Sequence, residues 1–180
     1  DNSRKQVRPG MSLCGFVLGT RRLYDFVDDN PSVSLRSADI VNDPRVIARM
    51  GRFASVNATT EVDLLGQCAS ETVAGRMWSG SGGQADFARG SLDATHGRAF
   101  VVTRATVRDG RSRIVARLSP GSVVTTDKNT VDHVVTEFGV AELRGRSIRD
   151  RAVALIAIAD PRHREELTRS AHELGLLREH

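Results

Sequence analysis

Short apolar runs, many of them rich in β-branched residues and several closed by glycine, proline or asparagine, recur along most of this chain, and helical spacing takes over at its end. Runs of roughly four to eight such residues suit strands better than helices. They read as strands near 12–19, 32–35, 53–56, 62–65, 100–102, 112–118, 122–126 and 131–136, the first of them buried and Asn57 marking the turn between the third and fourth. Helical stretches interrupt the series. Thr20 is placed to cap a short helix through Tyr24 and Phe26 that ends at Asp28-Asp29-Asn30-Pro31. Asn42-Asp43-Pro44 starts another, through Val46, Ile47 and Met50 to Gly51, because a capping residue followed by proline suits a first helical turn. Ser147 opens a segment with Val153, Leu155, Ile156 and Ile158, broken at Pro161, after which Leu167, Ala171, Leu174 and Leu177 keep helical spacing. Strands interleaved with helices imply an α/β fold: a central, mostly parallel or mixed sheet flanked by helices, with helices at the C-terminus.

Several function classes fall away at this stage. The 180 residues suit one domain or one large piece of a bigger enzyme. No run approaches the roughly 18 apolar residues that span a bilayer, so no membrane segment is expected. No basic stretch precedes an apolar one, so no secretory signal is read either. The two cysteines, Cys14 and Cys68, are too few for a disulfide scaffold; they read as buried free thiols in a reducing cytoplasm, with a single bridge between them as the lesser alternative and too few candidate ligands for a metal site. A net charge of +4 favours polyanions, whether nucleic acid or phosphorylated small molecules. With 4% aromatic residues and no basic stripe, nucleic acid is not the expected partner. The five histidines are scattered, with His163 and His172 read as surface residues, and Arg144, Arg146 and Arg149 read as solvated surface, a phosphate contact or a salt bridge to a partner domain.

From Gly75 to Gly90 the chain becomes glycine-rich, with Gly80, Gly82 and Gly83 close together; Trp78, Asp86 and Phe87 make it a structured loop instead of a linker. On residues alone it is a tight turn between strand and helix, and Asn42 is the cap of the helix after it.

Taken together, several segments resemble one family. They are Phe16-Val17-Leu18-Gly19-Thr20-Arg21-Arg22-Leu23-Tyr24-Asp25-Phe26, Val41-Asn42-Asp43-Pro44, Glu61-Val62-Asp63-Leu64-Leu65-Gly66-Gln67, Gly80-Ser81-Gly82-Gly83-Gln84-Ala85-Asp86-Phe87, Ser112-Arg113-Ile114-Val115, and Val134-Val135-Thr136-Glu137-Phe138-Gly139-Val140-Ala141-Glu142-Leu143-Arg144-Gly145. In this order they resemble the C-terminal domain of the acetyl-CoA hydrolase/transferase family, which includes 4-hydroxybutyrate and succinate CoA-transferases. Thr103-Arg104-Ala105, Thr130-Val131-Asp132-His133 and Ala116 depart from the family pattern. The resemblance implies a CoA-transferase-like α/β domain over 11–180, with residues 1–10 a linker from an N-terminal domain.

The chemistry the resemblance implies is nucleophilic. A glutamate attacks an acyl-CoA thioester, an acyl-glutamyl anhydride forms, and CoA thiolate converts it to a glutamyl-CoA thioester that a free acid resolves. The alternatives are a hydrolase, in which water resolves the intermediate, and a non-catalytic domain that only binds CoA or a partner. That glutamate belongs to a segment before this domain and is expected outside the chain, so the isolated chain is expected to be inactive. Glu137 and Glu61 are the candidates to replace it, with a structural role as the simpler reading for each. The resemblance gives Asn42, Gly82 and Gly83 the role of oxyanion donors, with Gly80, Ser81 and Gln84 lining the CoA site. Fixed N–H donors stabilise the charge that develops on a thioester oxygen. No permanent cofactor is implied; acyl-CoA and a short-chain carboxylate are the substrates, and a homodimer with its own N-terminal domain is the expected assembly.

Overall fold

The computed structural model describes residues 3–178. In chain order the elements are β1 (Ser12–Cys14), α1 (Arg21–Val27), β2 (Val33–Leu35), α2 (Ala38–Val41), α3 (Pro44–Ala48), β3 (Ala54–Ala58), β4 (Glu61–Asp63), β5 (Cys68–Ala69), β6 (Thr72–Val73), β7 (Arg76–Met77), α4 (Gln84–Asp93), β8 (Arg98–Val102), β9 (Ile114–Val115), β10 (His133–Thr136), β11 (Gly139–Glu142), α5 (Ile148–Ile158) and α6 (Pro161–Glu173). The α/β reading holds. The largest sheet has the order β11-β10-β8-β3, with β3, β8 and β10 parallel and β11 antiparallel at one edge. A second sheet, β5-β4-β9, joins it through the shared core.

That core lies where the two sheets meet the C-terminal helices. Val62, Leu64 and Ile114 of the small-sheet region, Val101, Val134 and Leu143 of the large-sheet region, and Leu155, Ile158 and Leu167 of α5 and α6 pack into one cluster. Each fully buried leucine contributes about 2 kcal/mol of transfer free energy. The cap of α5 is Ser147, whose hydroxyl accepts the Asp150 N–H; Asp160 caps α6 and accepts from Arg162, with Pro161 in the first turn. The bidentate Arg162 guanidinium, then its backbone N–H, hold Asp160 down at about 2. Among the described residues no helix is long and apolar enough to cross a membrane.

Several expected elements differ. Only Ser12–Cys14 of the first apolar run is strand, and Phe16 and Leu18 are 78% and 80% exposed. Asn57 lies inside β3, and the turn falls at Thr59-Thr60, where Thr60 donates to the carbonyls of Ala69 or Thr72. The strands on either side of that turn enter different sheets. The 122–126 run makes only an isolated bridge between Thr126 and Cys68. The 75–90 stretch is not all loop, because α4 begins at Gln84.

Candidate active site

The parallel strands place the N-terminus of α4 at the carboxyl edge of the main sheet. α4 returns the chain from β3 to β8, and those strands are parallel, so the helix runs against them. Ser91 of α4 donates to Ser55 of β3 at 3.1 Å and to the Phe87 carbonyl at 2.7 Å, pinning helix to strand. Phe53 and Phe87 stack with ring centroids 6.2 Å apart. Ligands of open α/β sheets gather at this edge.

The glycines serve two different purposes here. At Gly90 an added Cβ would stand 2.6 Å from Ile47 Cβ and 3.1 Å from the Pro44 carbonyl, so this glycine is what lets α3 and α4 cross closely. Gly83, one heptad earlier, is the N-cap of α4. An added Cβ there would overlap the side-chain nitrogen of Asn42. Two expected donors that are far apart in sequence are therefore in contact.

Asn42 is not the helix cap that the sequence suggested. Asp43 is, accepting the Arg45 N–H at 2.9 Å, while Asn42 closes α2 through its backbone N–H to Ala38. Proline at the first helical position fixes its predecessor as the cap, and that is Asp43. The Arg45 guanidinium, then the Arg45 N–H, hold the Asp43 carboxyl below its usual range. The Asn42 carboxamide is thereby released: half-buried, and without a hydrogen bond among the described residues.

Among the described residues no side chain caps α4, and the first N–H groups of an α-helix have no intrahelical acceptor. The Asn42 amide nitrogen thus sits beside unclaimed backbone donors at the positive end of a helix dipole. Such a constellation can bind an oxygen that gains negative charge. Gly80, Ser81 and Gly82 lead into it as an exposed segment, with Gly82 in the left-handed region at φ +56° and open space around Gly80 and Gly82. Gln84 is 7% exposed, and its Nε2 has no partner among the described residues.

The two glutamates are each held by neighbours. Glu137 accepts the Ala105 N–H at 2.8 Å; Glu61 accepts the Ser119 N–H at 2.7 Å and the hydroxyls of Ser119 and Ser122 at 2.8 and 3.0 Å. Arg144 pairs with buried Asp132, and Arg146 lies 3.9 Å from Glu142. His133 Nδ1 is 3.1 Å from Asp132 but off the line of a hydrogen bond. His163 is half-buried and meets the Gly110 carbonyl at 2.8 Å, so it is no free surface residue. Cys14 is half-buried and Cys68 fully buried, both unbridged; burial, then the charge of Asp63, pushes the Cys68 thiol far above its usual range. Among the described residues no three His, Cys, Asp or Glu side chains gather to hold a metal ion.

Residues 19–171 match the acetyl-CoA hydrolase/transferase C-terminal domain. Over 97% of its length the chain is 51% identical to succinyl-CoA:cyclohexane-1-carboxylate CoA transferase of Geobacter metallireducens, covering 40% of that protein. It is 45% identical to 4-hydroxybutyrate coenzyme A transferase of Clostridium kluyveri over 93% of the chain and 39% of that protein. The structure superposes on RipA from Yersinia pestis with a TM-score of 0.91 at 39% identity, over 98% of this chain and 40% of the other. The chain thus spans about 40% of the length of these relatives. It belongs to the acetyl-CoA hydrolase/transferase family, as that family's C-terminal domain.

Proposed function

We propose that this chain forms the oxyanion-binding half of an acyl-CoA:carboxylate CoA-transferase. The observation that carries the reading is the contact between Asn42 and Gly83 at the start of α4. In the proposed reaction a glutamate outside this chain attacks the thioester carbonyl. As the carbonyl carbon becomes tetrahedral, its oxygen gains charge. The Asn42 amide and the N–H groups of Gly83 and the first turn of α4 donate to it, with Gly82 shaping the approach. Donors fixed before the reaction need no reorganisation, which is why such groups are worth more than their counterparts in water. CoA thiolate leaves, then returns to the anhydride to give glutamyl-CoA and release the acid. A second carboxylate reverses the sequence. Gly80, Ser81 and Gln84 line the thioester's CoA side in this reading.

The relatives from Geobacter metallireducens and Clostridium kluyveri support transfer over hydrolysis, since both are CoA-transferases. Glu61 and Glu137 are engaged with serine and backbone donors, which supports a nucleophile supplied from elsewhere. Exposed apolar side chains at Phe16, Leu18, Met77 and Trp78 support a second surface that packs on this domain; Trp78 is 79% exposed. We assign that surface to the protein's own N-terminal domain, within a cytoplasmic homodimer. Incubating the complete polypeptide with an acyl-CoA and labelled acetate or succinate tests the function. Label entering the CoA ester supports it; thioester loss without exchange establishes a hydrolase instead.

A further inference from the structure

β11 ends the main sheet, and its outer side is bare. The strand pairs with β10 through His133–Glu142, Val134–Ala141, Val135–Val140 and Thr136–Gly139, and just beyond it the Leu143 N–H donates to the Asp132 carbonyl at 2.8 Å. In an antiparallel ladder successive residues bond to opposite sides, so Gly139, Ala141 and Leu143 turn their backbone groups inward. The N–H and C=O groups of Val140 and Glu142 therefore point away from the sheet, and among the described residues no strand lies beyond them. Natural sheets blunt such edges with proline, lysine or a bulge. Gly139-Val140-Ala141-Glu142 has neither proline nor lysine, and its register is unbroken.

A groove runs along this edge. α5 packs on β11, and Val140, Glu142, Arg146, Asp150, Val153 and Ala154 line a depression of about 400 Å³. Val140 is 58% exposed, Val153 51%, and Ile148 at the start of α5 48%. Asp150, Val153, Ala154 and Ala157 fall at i, i+3, i+4 and i+7, on one face of α5, and the alanines let a second helix come close. Unpaired backbone groups, apolar side chains and a narrow helix face thus share one edge.

A second copy of this chain fits that edge. About a twofold axis through Ala141, β11 meets its own copy antiparallel, and Val140 stands opposite Glu142 of the second copy. Each such pair exchanges two hydrogen bonds, so this register engages every outward backbone group of the strand. It also sets α5 beside its copy and covers Val153. A symmetric contact lays a patch against itself, so a patch with net charge would repel its copy. Here Glu142 and Asp150 are offset by Arg146 and Arg149, two against two, in a chain of net charge +4.

We propose that β11 and α5 form the contact of a symmetric dimer, in which the main sheets of two copies join edge to edge. The homodimer belongs to the reading above; the surface that makes it is the new claim, and sedimentation tests it without turnover. Val140 and Val153 are exposed, so lysine at both positions leaves the fold intact. In the complete polypeptide, Val140→Lys/Val153→Lys should weaken dimerisation by about 100-fold, because a charged edge no longer accepts a strand. The variant should sediment as a monomer where the wild type is a dimer, with an unchanged circular dichroism spectrum. Cross-linking reads the register. In a Cys14→Ser background, Val140→Cys/Glu142→Cys sets paired Cα atoms about 5.5 Å apart across the axis, within bridging range, and mild oxidation should give a covalent dimer. Val140→Cys alone leaves the two thiols on a diagonal, with Cα atoms about 7–8 Å apart, and should cross-link poorly. A lysine variant that stays dimeric, or a cysteine pair that does not cross-link, overturns the contact. A wild-type protein that sediments as a monomer overturns it too; a lower Tm in the lysine variant then assigns the edge to another part of the same polypeptide. A wild-type dimer that the lysines dissociate but that shows no CoA exchange removes the transferase reading and leaves this contact standing.

Discussion

Replacing Gly83 by alanine isolates the proposed oxyanion contact. The backbone tolerates the change, since φ at Gly83 is −99°. The side chain does not fit: its Cβ would overlap the Asn42 amide nitrogen and stand 3.0 Å from Asn42 Cγ and 3.2 Å from Phe87 Cε2. Asn42 is bonded through its backbone N–H to Ala38, while its side chain makes no hydrogen bond among the described residues, so the side chain is the group that yields. Two costs follow, and they differ in size. Alanine is a poorer helix cap than glycine, which costs about 1 kcal/mol and lowers Tm by about 2–4 °C. Displacing one oxyanion donor costs on the order of 3 kcal/mol in the transition state, about 100-fold in kcat. Steady-state exchange by the complete polypeptide, CoA affinity by calorimetry and a thermal melt separate the two. The decisive comparison is a cycle with Asn42→Ala, which removes the donor without a clash. If Gly83→Ala acts by moving Asn42, the double variant is hardly slower than Asn42→Ala alone. Turnover unchanged in Gly83→Ala, or losses that add in the double variant, would refute the reasoning.

Other predictions rest on separate features. Gly90→Val drives a branched side chain into Ile47 and the Pro44 carbonyl, so the urea midpoint should fall by an amount worth about 1–3 kcal/mol or more. An aromatic-disulfide reagent should titrate Cys14 in the native chain and reach Cys68 only in denaturant, because burial disfavours the Cys68 thiolate. Asp160 has a folded pKa of about 2, below its unfolded value, so its contribution is present above the ordinary aspartate range and is lost as pH falls towards 2. Asp160→Asn keeps a capping side chain and should flatten the decline of the urea midpoint between about pH 4 and pH 2.

Much of the architecture was readable because local signals and tertiary structure agree. Ser147 and Pro161 mark α5 and α6 by capping and ring geometry, and the runs read at 100–102 and 131–136 lie in or overlap β8 and β10. Disagreements arose where a residue answers to something distant. Phe16 and Leu18 are apolar like a buried strand, yet among the described residues nothing covers them. Gly90 looked like loop punctuation, but it is required by the side chain of Ile47 on another helix. Thr59 and Thr60 suit a strand by propensity, and the turn there depends on carbonyls around residues 69–72. The site divides in the same way. The glycine stretch and Asn42 were visible individually, and Pro44 carried the signal that Asp43 would be the cap. That Asn42 touches Gly83 depends on the packing of α3 on α4, which no local pattern encodes.

The central claim concerns a single oxygen atom, and vibrational spectroscopy reads it directly. An acyl-CoA analogue with methylene in place of the thioester sulfur and a ¹³C-labelled carbonyl binds without reacting. On the complete polypeptide its carbonyl stretch should move to lower frequency than in water, and most of that shift should vanish in Asn42→Ala. Equal frequencies in the two proteins, with the analogue bound in both, would contradict the account.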